Sequence, residues 1–148
     1  MQQTNILRAI GAGIAGTAAM TMLMLTGPLM GMPDMNIGKM LSGVMGIPIA
    51  IGWLAHAMVG TGLAIIYAYA FSLKLPAAPW LKGALFSFIP WLVKESMLSP
   101  MMGTGFFESG TPAPLIMAMG GLMGHLVYGI VLGTIYGNES PTKIVATA

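Results

Sequence analysis

Cysteine is absent, and charge is scarce: six basic and four acidic residues, 7% of a 148-residue chain. Without thiols there is no disulfide, no thiolate metal site and no cysteine nucleophile. Four acids and two histidines leave little room for hydrolysis, and no Ser-His-Asp arrangement, paired carboxylates or phosphate-cradling loop emerges from the pattern. A net charge of +2, thinly spread, gives no nucleic-acid footprint. Strand-like alternation is missing, which argues against a membrane barrel. Soluble domains carry about 25% charged residues, so this chain lacks the polar surface to face water on all sides.

What is abundant is apolar: 56% of residues are hydrophobic and the mean hydropathy is +0.83. Four segments, near residues 6–28, 48–72, 81–102 and 114–137, are long enough to cross about 30 Å of hydrocarbon as helices. The expected fold class is all-α, a polytopic protein in the lipid bilayer of the cell membrane, with one domain over residues 1–148. The first segment follows Arg8 in the manner of a signal peptide. Its apolar run continues without a clear cleavage site, so it is expected to remain as a helix. Arg8, Lys74, Lys82 and Lys143 fall on one side of the four spans, and Lys39, Asp34 and Glu108 on the other. The positive-inside rule then places both termini in the cytoplasm.

Between the spans, Asp34 is expected to cap an amphipathic interfacial helix over 34–45, with Ile37, Met40, Leu41 and Val44 on one side. Pro48 starts the second span. Leu75 to Pro79 reads as a short cytoplasmic turn, with Lys74, Trp80 and Lys82 at headgroup level. Pro90 predicts a kink in the third span. The tail from Asn138 is polar.

Two stretches repeat. Residues 52–68 align without gaps on 121–137, matching Gly52 with Gly121, His56 with His125, Gly60 with Gly129 and Tyr67 with Tyr136. On a helix turning about 100° per residue these positions form one stripe, so each histidine sits between packing glycines. Pro28-Leu29-Met30-Gly31 ends the first span as Pro100-Met101-Met102-Gly103 ends the third. The repeating unit is therefore a helical hairpin, and two parallel hairpins related by an axis along the membrane normal are expected. That symmetry faces the second span towards the fourth and brings His56 and His125 to one depth. Lys94 and Glu95 lie near the same level. Lys94 is expected to snorkel outward, and Glu95 to face the bundle with a histidine as partner.

Several readings of this polar layer stand side by side. Two imidazoles across a pseudo-twofold can hold a b-type haem, with Lys39 and Lys94 as the available propionate anchors. Alternatively each imidazole bonds a neighbouring helix and the glycine stripes simply pack helices or a homodimer. Proton or metal transport needs a polar path, and below the layer only Thr61, Ser87, Thr134, Tyr67 and Tyr136 supply one. Sixteen methionines, many near the outer side, would suit copper as soft thioether ligands, although methionine more commonly packs apolar cores. Gly11-Ala12-Gly13-Ile14-Ala15-Gly16 spells a dinucleotide fingerprint. With no strand before it, inside an apolar helix, it reads as a helix-packing stripe.

The pattern Gly-Trp-x-x-His-x-x-x-Gly in the second span resembles a family of small four-helix membrane proteins of bacteria and archaea. The same holds for Pro-x-Met-Gly after the first and third spans, and for Gly-His-Leu-Val-Tyr-Gly in the fourth. The resemblance covers residues 8 to 137 and implies fold and location, and no functional residue. The functional expectation is a non-enzymatic membrane protein whose His56, Glu95 and His125 layer binds a ligand or a haem, alone or as a small subunit of a larger complex.

Overall fold

The computed structural model describes residues 5–72, 74 and 76–137, all helix, turn and loop with no strand among them. The polar tail and Lys143 lie outside the described residues. Helix α1 (Ile6–Thr26) starts at Asn5, whose side chain accepts from the Arg8 amide at 3.0 Å. It continues as a 3₁₀ turn over Gly27–Met30. Helix α2 (Ile37–Met45) is capped by Asn36, not by Asp34: Asn36 Oδ1 accepts from the Lys39 amide at 2.9 Å. An asparagine immediately before the apolar run meets the third amide of the helix, which Asp34 is too far upstream to reach.

Helix α3 (Ile49–Ala70) begins after Pro48, and α4 (Pro79–Val93) carries proline at its first position. The α-helix runs through Pro90. Its departure from α geometry comes four residues later, as a π turn over Lys94–Leu98 that leads into a short α5 (Ser99–Met101). Helix α6 (Pro114–Tyr136) closes the fold and ends at Gly137, with φ +72°. The two Pro-x-Met-Gly stops share one backbone geometry. Gly31 and Gly103 have φ of 81° and 80°, and their amides donate to the carbonyls of Pro28 and Pro100 at 3.1 and 3.0 Å.

Three helices are long and apolar enough to cross a membrane: Ile6–Leu29, Ile49–Ala70 and Pro114–Tyr136. Packing follows the glycines. Helix α1 lies against α3 and α6, α6 lies against α4, and α2 is laid across α3. Gly60 abuts Thr17 of α1, and Gly129 meets Gly83 of α4, so each repeat glycine serves the hairpin it belongs to. In the apparent fingerprint, a Cβ on Gly13 would stand 2.7 Å from Ala64, and one on Gly16 would stand 2.9 Å from Tyr128. Those glycines pack helices. Gly52 meets the Gly38 carbonyl, and the Trp53 ring covers Gly38, which fixes α2 to α3.

Buried aromatics gather at the end of the 71–79 turn. Tyr67 touches Tyr136 and Phe86 at centroid distances of 5.8 and 5.4 Å, and Phe71 touches Phe86 at 5.0 Å. Lys82 is buried there and donates to the Ser72 carbonyl at 2.8 Å, so it ties the turn together instead of lying at the surface. Past Phe86, towards the α2 end, α3 and α4 splay apart. The second and fourth expected spans do not face one another across a closed two-fold. The extensive α1–α6 contact has no equal between α3 and α4.

Candidate functional site

The opening between α3 and α4 is a cavity of about 510 Å³, lined by apolar side chains of both helices and by His56, His125, Tyr128 and Lys94. A second cavity of about 580 Å³ lies beneath α2, and Met20, Ile37, Lys94, Met101 and His125 line both. The structure thus brings the two predicted histidines to one space, although their helices are not close partners.

Their chemistry is not equivalent. His125 Nδ1 lies 2.8 Å from the Gly121 carbonyl one turn back. A carbonyl only accepts, so Nδ1 carries the proton and the neutral ring presents a bare Nε2 lone pair. That nitrogen can accept from a hydroxyl or ligate a metal. His56 Nε2 is buried without a hydrogen-bond partner, while the ring meets Trp53 edge-on at 6.3 Å. Tyr128 donates to the Gly60 carbonyl at 2.6 Å, binding the repeat glycine of the first hairpin to α6.

Lys94 does not snorkel, and Glu95 does not take a histidine. Lys94 Nζ lies 3.0 Å from Glu95 Oε1 and pairs also with Glu108 Oε1, which accepts in addition from Ser99 Oγ at 2.9 Å. Neighbours on a regular α-helix point about 100° apart. The π turn that begins at Lys94 is where the helix departs from that geometry, and Glu108 on the following loop draws the ammonium inward. Glu95 is completely buried against Gly121, with Oε2 unpartnered. Glu108 and Ser99 are cluster members that sequence reasoning missed. The available signal was electrostatic: a buried lysine needs more than an adjacent carboxylate, and Glu108 is the only acid in the 104–113 loop.

The loop is held in strain to make this contact. Phe107 and Glu108 adopt φ of +49° and +60°, left-handed values that cost of order 1–3 kcal/mol each in residues other than glycine. The Phe107 ring is retained against Trp91 at 5.8 Å, and Trp91 Nε1 donates to the Ala118 carbonyl at 3.1 Å. Burial alone would raise the Glu108 carboxyl, but hydrogen bonds from Lys94 and Ser99 and the Lys94 charge outweigh it and hold it below its ordinary value of 4.5. Its stabilisation is therefore full above that value and is lost as pH falls through the lower folded one. Melting temperature in detergent should fall below pH 4.5, and the fall should be shallower in Glu108→Gln; identical profiles would show that the carboxylate is not under strain from protonation.

No cluster of three His, Cys, Asp or Glu side chains able to hold a metal occurs among the described residues. Within the groove the one cation, Lys94, is committed to two carboxylates, and Lys39 lines only the cavity beneath α2.

A helical chain with three membrane-length apolar helices is compatible with a membrane protein, and its sequence places it in a defined group. Residues 3–144 match a family described as a family of unknown function (DUF6789), and the chain belongs to that family. No curated protein and no solved structure matches it.

Proposed function

We propose that the chain is a four-span protein of the cell membrane that holds a long-chain amphiphile from the bilayer. The hydroxyl-bearing head of that ligand sits at the His56–His125 layer and its tail lies between α3 and α4. The observation that carries this reading is the groove itself: an apolar slot with a lone-pair nitrogen and a partnerless buried nitrogen among its walls. Its rim residues Val59, Ile66, Ile89, Val93 and Met97 are exposed, so the slot opens sideways, where lipid would lie.

The fourth span in this reading is the run Pro79–Met101, about 35 Å long at 1.5 Å per residue. Leu85, Phe88, Leu92 and Val93 leave it exposed on an apolar side, as a lipid-facing helix would be. Arg8, Lys74 and Lys82 gather at the 71–79 end, which the positive-inside rule assigns to the cytoplasm, leaving α2 and the strained loop outside. A head group that donates a hydroxyl proton to His125 Nε2 suits the groove better than the propionate edge of a haem, for which the lining supplies no uncommitted cation.

Solvent extraction and mass spectrometry of protein purified in mild detergent should recover one amphiphile at about one per chain. His56→Ala and His125→Ala should each lower that occupancy at least about tenfold while the protein stays monodisperse, the loss of one buried hydrogen bond being worth about 1.4 kcal/mol. Unselective lipid, equal in wild type and variants, would sink the proposal. A Soret band lost in either variant would do so in favour of haem.

A further inference from the structure

We propose that the second cavity, beneath α2, is a binding site for a soft monovalent cation, Cu(I), with methionine thioethers and His125 Nε2 as ligands. The inference rests on different lining residues from the amphiphile reading but calls on the same His125 Nε2 lone pair, so ion and hydroxyl head would compete for that atom.

Methionine supplies 16 of 148 residues, yet seven of the side chains around this cavity are methionines, drawn from α1, α2, α5, α6 and the loops between. At the overall frequency about two would be expected, so composition alone does not account for them. Packing accounts for part of the set, since Met20 belongs to the buried core and Met24 packs against it, but the lining methionines also border about 580 Å³ of open space.

Their approach to α6 is specific. A Cβ on Gly124 would stand 3.2 Å from the methyl end of Met24 and 3.4 Å from that of Met20. A Cβ on Gly120 would stand 2.8 Å from the methyl ends of both Met32 and Met35. Two glycines one turn apart thus admit four methionine side chains from the first hairpin against α6, and of these Met20, Met24 and Met35 line the cavity together with His125. The second, independent observation is the tautomer of that histidine. An imidazole whose Nδ1–H is pinned to a backbone carbonyl presents Nε2 as a ligand, the usual arrangement of a metal-binding histidine.

The donor set selects the ion. Thioethers are soft, neutral and weak towards hard cations, and the acids of the cavity wall form no trio that could hold Zn²⁺, Ca²⁺ or Mg²⁺. A monovalent ion also suits the local charge. Lys94 is outnumbered by Glu95 and Glu108 in its cluster, and Asp34 and Lys39 at the wall cancel, so no excess positive charge opposes a cation.

The test is anaerobic titration of the purified full chain with Cu(I) against a chromophoric chelator, and with Ag(I) as a redox-inert stand-in. One saturable equivalent is expected. The pair Met20→Leu with Met24→Leu keeps side-chain volume and should weaken binding by at least about 100-fold, as loss of direct ligands exceeds the 10–100-fold of outer-shell changes. Met22→Leu, at an exposed position on the same helix, should change nothing. His56→Ala should leave the metal bound while emptying the groove of amphiphile, which separates the two proposals. Zn²⁺ should not compete. Binding unchanged in the double variant, several weak equivalents lowered as much by Met22→Leu, or displacement by Zn²⁺ would each overturn the site.

Discussion

Lys94→Met is expected to cost about 3–5 kcal/mol of stability, the range for removing one partner from a buried ion pair. The lysine is 15% exposed, but the two carboxylates it pairs with are at 0% and 2%. Methionine matches the stem and leaves both acids inside the fold without a cation. Their repulsion and desolvation then make up the loss. If that account is right, Lys94→Met combined with Glu95→Gln and Glu108→Gln should recover most of it, because an uncharged set of similar shape removes the penalty along with the pair. Unfolding in mixed micelles, followed by circular dichroism, measures both. A loss under about 1 kcal/mol for the single variant would mean that the cluster is wet and resembles a surface pair.

The second large effect concerns backbone approach. Gly83→Val should separate α4 from α6 and destabilise the fold by about 3 kcal/mol or more, the upper end for overpacking. A Cβ at Gly83 would collide with the Gly129 carbonyl and stand 2.8 Å from the Gly133 amide nitrogen, and neither backbone atom can rotate away. The matching control is Gly62→Ala in α3. Nothing lies within 4 Å of its Cβ, so the change should be neutral or stabilise by up to about 1 kcal/mol through helix propensity. Equal behaviour of the two variants in thermal melts would refute close packing as the basis of the α4–α6 pair. In lipid, where apolar tails compete equally for apolar side chains, such contact is the main attraction between helices.

Hydrophobic run length located the helices to within a few residues, because a long apolar stretch bounded by Pro48, Pro114 or Gly137 has few other ways to satisfy its backbone. The glycine stripe was partly readable: Gly13, Gly16, Gly52, Gly60 and Gly129 do serve close approach, whereas Gly11 and Gly62 face open space, which spacing alone does not distinguish. What the sequence concealed is tertiary. The turn of Lys94 towards Glu95 accompanies a π turn and a carboxylate beyond the helix end, and no local pattern encodes either. The cap of α2 was misplaced because Asp34 and Asn36 are both competent caps, and distance to the first free amides decides between them. The repeat suggested a closed two-fold, but a matched stripe fixes only what each α3-like helix packs within its own hairpin. It does not fix how the hairpins meet, and the open side between α3 and α4 follows from that freedom.

Contact separation along the chain also orders assembly. Lys94 and Glu108 are 14 residues apart, so the ion cluster can close while α6 is still being synthesised. Tyr128 must find Gly60 across 68 residues, and Arg8 reaches the Ile135 carbonyl across 127. The costliest charges are thus paired through a local loop before the long-range bonds draw the hairpins together.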